Sequence, residues 1–197
     1  MKKNGKKGAI ITVVAIVLVL VALLFLFKGN VYRMVVKYED AGNRKSYTVK
    51  DEAFAAFINH NLPNDESLDE TIDIEQIIDF SLNMTAKTLD YFSEASENDP
   101  QKTLMDGYAN YTGYATFTAT VGDYLLKRFG MNKEWEVKPK KAKLYVFGTN
   151  KSKKALDGWF KEHDFVIFRN KATKEEIYVD PIAYESYGVK RVDKYQK

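Results

Sequence analysis

Cysteine is absent from the 197 residues, which excludes disulfides, thiolate metal sites and every thiol-dependent mechanism. Histidine occurs only at 60 and 163. Two imidazoles without a thiol make a poor zinc site, so no metal and no cofactor are expected. His60 falls in a polar loop region and is given no role. The sequence has no glycine-rich phosphate loop and no serine nucleophile elbow. It also has no internal repeat and no low-complexity tract. What is present is the material of a folded domain, 45% hydrophobic and 14% aromatic.

Charge of each sign is missing from part of the chain. Residues 1–50 hold ten Lys/Arg against two Asp/Glu, 51–100 one against thirteen, and 101–197 nineteen against twelve, leaving a net charge of only +3. An acidic lobe and a basic lobe follow unless the fold interleaves them, and solubility is the plainest use of such charge.

Ala9 to Phe27 reads AIITVVAIVLVLVALLFLF, without charge, glycine or proline. As a helix it spans about 28 Å, close to the hydrocarbon thickness of a bilayer. Lys2, Lys3, Lys6 and Lys7 precede it, so the positive-inside rule keeps the tail cytoplasmic and sends the rest across. A cleaved signal peptide would have a shorter apolar core and small residues before the cut, whereas this run ends Leu-Phe-Leu-Phe-Lys. The expected organisation is a cytoplasmic tail (1–8), a transmembrane helix (9–27), a juxtamembrane strand and linker (28–50), and an extracytoplasmic domain (51–197). The lipid bilayer is thus the first expected partner, and nucleic acid is disfavoured.

In the soluble part, 31–38 (VYRMVVKY) reads as a strand that could pair with 46–49 across Ala41-Gly42-Asn43. A short helix is expected from Asp51 to Asn59 and a longer one from Asp73 to Ala95, both with apolar residues at helical spacing. A further helix runs from about Ala109 to a glycine cap at Gly130. Residues 142–148, 163–169 and 175–180 read as strands. Helices first and strands after predict an α+β domain, with helices packed on an antiparallel sheet.

Asp106 to Met131, DGYANYTGYATFTATVGDYLLKRFGM, resembles the nucleophile helix of transglutaminase-like domains, which share the papain-like cysteine protease type of fold. That family has a Cys, one residue, Gly-Tyr-Ala, then an amphipathic helix ending in Leu-Leu and Gly. Gly113-Tyr114-Ala115, Leu125-Leu126 and Gly130 match, and Tyr111 stands at the cysteine position. HDFVIFRNKATKEEIYVDP resembles the family's His and Asp strands, placing His163 and Asp180 at the other triad positions. The resemblance covers about half of the soluble domain.

Strand geometry offers an independent check. If 163–169 and 174–180 pair antiparallel through a loop at 170–173, with His163 opposite Asp180, the two side chains share a face. Their Cβ atoms then lie about 4.5–5.5 Å apart. A slip of one residue would separate them.

A phenol does not replace a thiol. Its reference pKa is near 10 against about 8.5, and its ring fills the space an acyl group must enter. Tyr111 is therefore expected to plug the site. Thr112 is the alternative nucleophile, working with His163 and Asp180 in a residual acyl-transfer or hydrolase activity. The resemblance implies a membrane-anchored pseudoenzyme, a binding module with Tyr111, Tyr114, His163 and Asp180 lining a groove for a peptide-like or polymeric ligand or a partner protein. A structural subunit of a membrane assembly is the second reading. Lys138, Lys140, Lys141, Lys143, Lys151, Lys153 and Lys154 flank the strand at 142–148, either as a lysine-protected edge or as a contact for anionic headgroups or a polyanion.

Overall fold

The computed structural model describes residues 3–63, 72–152 and 163–196. Lys153 and Lys154 therefore lie outside the described residues. The architecture is mixed α and β. Helix α1 (Lys3–Leu26) leads into α2 (Lys28–Val35) and strand β1 (Val36–Asn43), followed by α3 (Glu52–His60) and α4 (Ile74–Thr88). Next come β2 (Asp90–Tyr91), α5 (Pro100–Asp106), β3 (Tyr108–Ala109) and the long helix α6 (Tyr111–Arg128). A 3-10 turn, Met131–Lys133, leads into β4 (Trp135–Val146), β5 (Thr149–Asn150), β6 (His163–Asn170), β7 (Glu176–Val179), α7 (Pro181–Tyr187) and β8 (Asp193–Lys194).

The main sheet has the order β7-β6-β4-β1-β8, with β5 paired to β4. All its pairings are antiparallel except β1 with β8. The segment after Arg191 joins the two sides of this curled sheet: Val192 N donates to Tyr178 O at 2.9 Å, while Asp193 and Lys194 pair with Lys37 and Tyr38. One face of the sheet carries α3, α4 and α6 over a core containing Phe54, Ile78, Leu82, Phe117 and Phe168. The other face encloses Tyr38, Leu144, Phe165, Ile167 and Tyr178, with Tyr32 from α2 and Ala183 from α7.

Helix α6 is buried along most of its length although it is rich in threonine. The hydroxyls of Thr116, Thr118 and Thr120 each donate to the carbonyl four residues earlier, and Thr118 also meets Thr85 of α4 at 2.8 Å. Satisfied in this way, a hydroxyl can enter a core at little cost. Gly122 lets the helix sit directly on the sheet, because a Cβ there would come within 2.9 Å of the Phe168 ring. Gly122→Ala should therefore cost about 1–3 kcal/mol through overpacking. Urea unfolding followed by circular dichroism measures it, and a midpoint equal to that of the native chain would refute so tight a contact.

Several expectations change. Residues 31–35, the first part of the strand expected at 31–38, belong instead to the helix Lys28–Val35. The β-branched residues yield because Gly29 lets the helix approach the Tyr187 carbonyl and Tyr32 stacks on Tyr187 at 4.7 Å. Residues 46–49 form no strand, since both sides of β1 are already taken by β4 and β8. The stretch 28–50 is thus more than a linker: it supplies an interior strand to the sheet. The helix from 73 stops at Thr88 and not at 95, because Asp90 and Tyr91 pair in parallel with Tyr108 and Ala109. Helix α5 was not foreseen, although Asp99, Pro100 and Gly107 are its N-cap, first residue and left-handed C-cap. Strand β4 has β6 beside residues 135–142 and β1 beside residues 140–146, so Lys140 and Lys141 stand in the interior of the sheet and guard no edge.

Among the described residues, no single helix is long and apolar enough to cross a membrane. Thr12–Leu23 and Lys28–Val35 meet that requirement only together, as a pair bent by 75°. Val13, Val14, Val17, Leu18 and Phe25 of α1 stand exposed.

Candidate functional site

The site forms where the N-terminus of α6 meets the start of β6. Asn110 caps the helix: its side-chain oxygen accepts from Thr112 N and Gly113 N, and its amide donates to Ala95 O. Tyr111 is consequently the first helical residue. The Gly-Tyr-Ala that follows has local packing reasons. A Cβ on Gly113 would meet the Ala109 methyl at 2.5 Å. Tyr114 is fully buried and its hydroxyl donates to Leu89 O at 2.6 Å, so it belongs to the core and offers no groove wall.

Strands β6 and β7 supply the other residues. The observed register pairs Val166 with Val179 and Ile167 with Tyr178, two residues away from the predicted pairing. The loop at 171–175 is longer than expected: Asn170 Oδ1 accepts from Ala172 N and Thr173 N, and Lys174 turns the chain at φ 65°. A slip of two keeps every side chain on its face. His163 and Asp180 still converge, with Nε2 and Oδ2 at 2.5 Å and neither side chain exposed.

Asp180 holds more than the imidazole. Its Oδ1 accepts from Ile182 N and Ala183 N, capping α7. Its Oδ2 accepts the Tyr38 hydroxyl at 2.5 Å. Since Tyr38 spends its one proton there, the Tyr32 hydroxyl, 2.5 Å from that of Tyr38, must be the donor in its own contact. The chain Tyr32, Tyr38, Asp180, His163 thus runs from α2 to the tip of α6. Burial pushes the Asp180 carboxyl up, but His163, Tyr38 and the Ala183 amide outweigh it and hold the carboxyl below its usual range. Burial, and then the Asp180 charge, drive the Tyr38 phenol well above its ordinary value.

Tyr111 closes the end of this chain. Its ring centroid lies 5.1 Å from that of His163 and 5.0 Å from that of Tyr91. Thr112 is directed elsewhere: its hydroxyl donates to Asp164 Oδ2 at 2.6 Å, and the Arg44 guanidinium binds the same buried carboxylate at 2.8 Å. The structure therefore brings Tyr111, His163 and Asp180 together, and gives Thr112 to a different carboxylate on the opposite face of β6. As built, the pair orders strands and caps a helix.

Tyr38, Tyr32, Arg44 and Asp164 escaped the sequence reading, because no local spacing ties residue 38 to 180 or 44 to 164. Of the lysines, Lys138, Lys140 and Lys143 pair with Glu136, Asp40 and Glu39 at 3.0, 2.7 and 3.1 Å. A cleft of about 600 Å³ lies away from the site, lined by Arg33, Lys37, Tyr178 and Val192 among others. No protein-family model matches the sequence, and comparison with curated proteins finds no match.

Proposed function

We propose that this chain is a membrane-anchored, catalytically inactive transglutaminase-like domain that binds a peptide-like or polymeric ligand. One observation carries the reading: an aromatic ring, that of Tyr111, stands at the helix N-terminus beside an imidazole–carboxylate pair, where the resemblance calls for a sulfur. The apolar run 9–27 supports the anchor, with its exposed valines and leucines, and the lysines before it support a domain outside the cytoplasm. Ligand contact falls to the rings around the plug. Tyr91, Phe92 and Tyr108 are exposed, and Phe92 and Tyr108 pack edge to face at 5.7 Å. Exposed aromatic rings of this kind suit contact with the apolar faces of an extended polymer.

A structural-subunit role for the acidic helix 74–88 is less favoured, since Glu75 and Asp79 already pair with Arg191 and Lys190 of the same chain. Residual hydrolysis through Thr112 is disfavoured by its bond to Asp164.

The test has two arms. The full chain in nanodiscs should incorporate no amine into a glutamine peptide and should hydrolyse no ester. Turnover that disappears in Thr112→Ala or His163→Ala would overturn the reading. In affinity electrophoresis through gels holding a soluble glycan or a poly-amino acid, Tyr91→Ala with Tyr108→Ala should abolish retardation. Retardation unchanged by that pair would remove the aromatic face from the proposal.

A further inference from the structure

The turn joining β4 to β5 consists of Phe147 and Gly148, both with left-handed backbone, at φ 48° and 74°. Two-residue hairpins with both φ values positive favour Asn-Gly or Asp-Gly, because a bulky side chain is strained there. Phe147 is nevertheless in that position and 82% exposed, so no burial among the described residues offsets the strain. A strained, exposed aromatic residue points to a contact outside the domain.

Its neighbour is informative. Phe147 N donates to Val35 O at 3.1 Å, which fixes the turn against the C-terminal end of α2. Helix α2 lies on the domain through Gly29, Tyr32 and the Lys28 amine, which donates to Ser186 O at 2.8 Å. On the side away from Tyr32 it presents Met34, 74% exposed, in line with Phe27 at helical spacing. The 75° bend between Thr12–Leu23 and Lys28–Val35 sets α2 roughly across the direction of the apolar helix. If that helix crosses a bilayer, α2 runs along the surface. No Asp or Glu occurs before Glu39, and the two cations of α2 are held by the domain, Lys28 on Ser186 O and Arg33 on Asp193, so the face that α2 turns outward is apolar.

We propose that α2 lies along the membrane surface and that Met34 and Phe147 enter the lipid interface, giving the domain a second, non-covalent attachment beside its anchor. The inference rests on the anchor reading of residues 9–27. Two attachment points would fix how the domain faces the membrane, where a single helix would leave it free to turn.

The chain has no thiol, so single-cysteine variants need no other change. Leu18→Cys, Met34→Cys, Phe147→Cys and Lys133→Cys are spin-labelled in the full chain and reconstituted in phosphatidylcholine–phosphatidylglycerol vesicles. Lys133 is the water reference, because it precedes β4 while Phe147 follows its other end. Oxygen and a nickel chelate then report depth by power saturation. The expected ratio of oxygen to nickel access is highest at 18 and several-fold above the 133 value at both 34 and 147. Labels at 34 and 147 as wet as 133, with 18 in hydrocarbon, would overturn the inference and leave the anchor intact. A wet label at 18 would overturn both. Loss of nickel access at 147 without a gain in oxygen would indicate a protein contact and also reject the lipid interface.

Discussion

Asp180→Ala should destabilise the domain by about 3–5 kcal/mol, the usual cost of breaking a fully buried pair, with about 1 kcal/mol more for the lost helix cap. The reason is the number of groups one carboxylate serves: the His163 ring, the Tyr38 hydroxyl and two amides of α7, all without exposed side-chain surface. Asp180→Asn separates the contributions, because an amide oxygen still caps α7 while the charge is gone. Urea unfolding of the full chain in nanodiscs measures both variants. The alanine variant should be the weaker, and equal stability of Asp180→Ala and the native chain would show that the network is incidental.

The pH dependence follows with a definite sign. The Asp180 carboxyl titrates below its ordinary value in the folded chain, so the folded state binds fewer protons than the unfolded one. Its contribution is therefore complete above the ordinary carboxylate pKa of about 4 and is lost as pH falls through the lower folded value. Native stability should drop in acid below that point, and Asp180→Asn should flatten this part of the profile.

Tyr111→Cys should create a thiol of abnormal reactivity, the largest effect expected of any single change at the site. The new sulfur would sit at the first position of α6, beside the His163 ring, in the space the phenol vacates. Helix N-termini and adjacent imidazolium both favour thiolate. An ordinary thiol is only about 0.3% ionised at pH 6, so alkylation there should be faster by roughly ten-fold or more. Because the native chain carries no other thiol, iodoacetamide labelling followed by mass reads the site directly. Adding His163→Ala should remove most of this acceleration, leaving only the smaller contribution of the helix N-terminus. A labelling profile centred near pH 8.5 in the single variant would mean that the imidazole does not serve this position, and the family resemblance would lose its physical basis.

Much of this centre was legible in advance. Alternation along 163–169 and 175–180 places His163 and Asp180 on one face in any even register, so the error of two residues in the pairing left the pair intact. The helical period that begins near Ala109 locates Tyr111 in the first turn of α6, while the capping by Asn110 is seen only in the structure. The boundary at 88 was not legible, because the helical period continues through Leu89 and Phe92 while the chain leaves the helix to pair Asp90 with Tyr108. Nor was the role of Tyr114: a Tyr beside a site reads as a groove wall until its hydroxyl is seen to reach Leu89 O in the core.

The sequence by itself determined what is carried by residue type and short-range period: no sulfur chemistry, an apolar run of bilayer length, helix starts, and two strands with one shared face. These depend on properties of neighbouring residues and survive small errors of register. Only the tertiary structure decided that Tyr38 reaches Asp180, that Arg44 and Thr112 share Asp164, that residues 28–43 belong to the body of the domain, and that Phe147 is left exposed beside α2. Each of these joins residues far apart in the chain, and their meeting is set by how the whole sheet curls and which surfaces it buries, a sum over many weak contacts that no local pattern records.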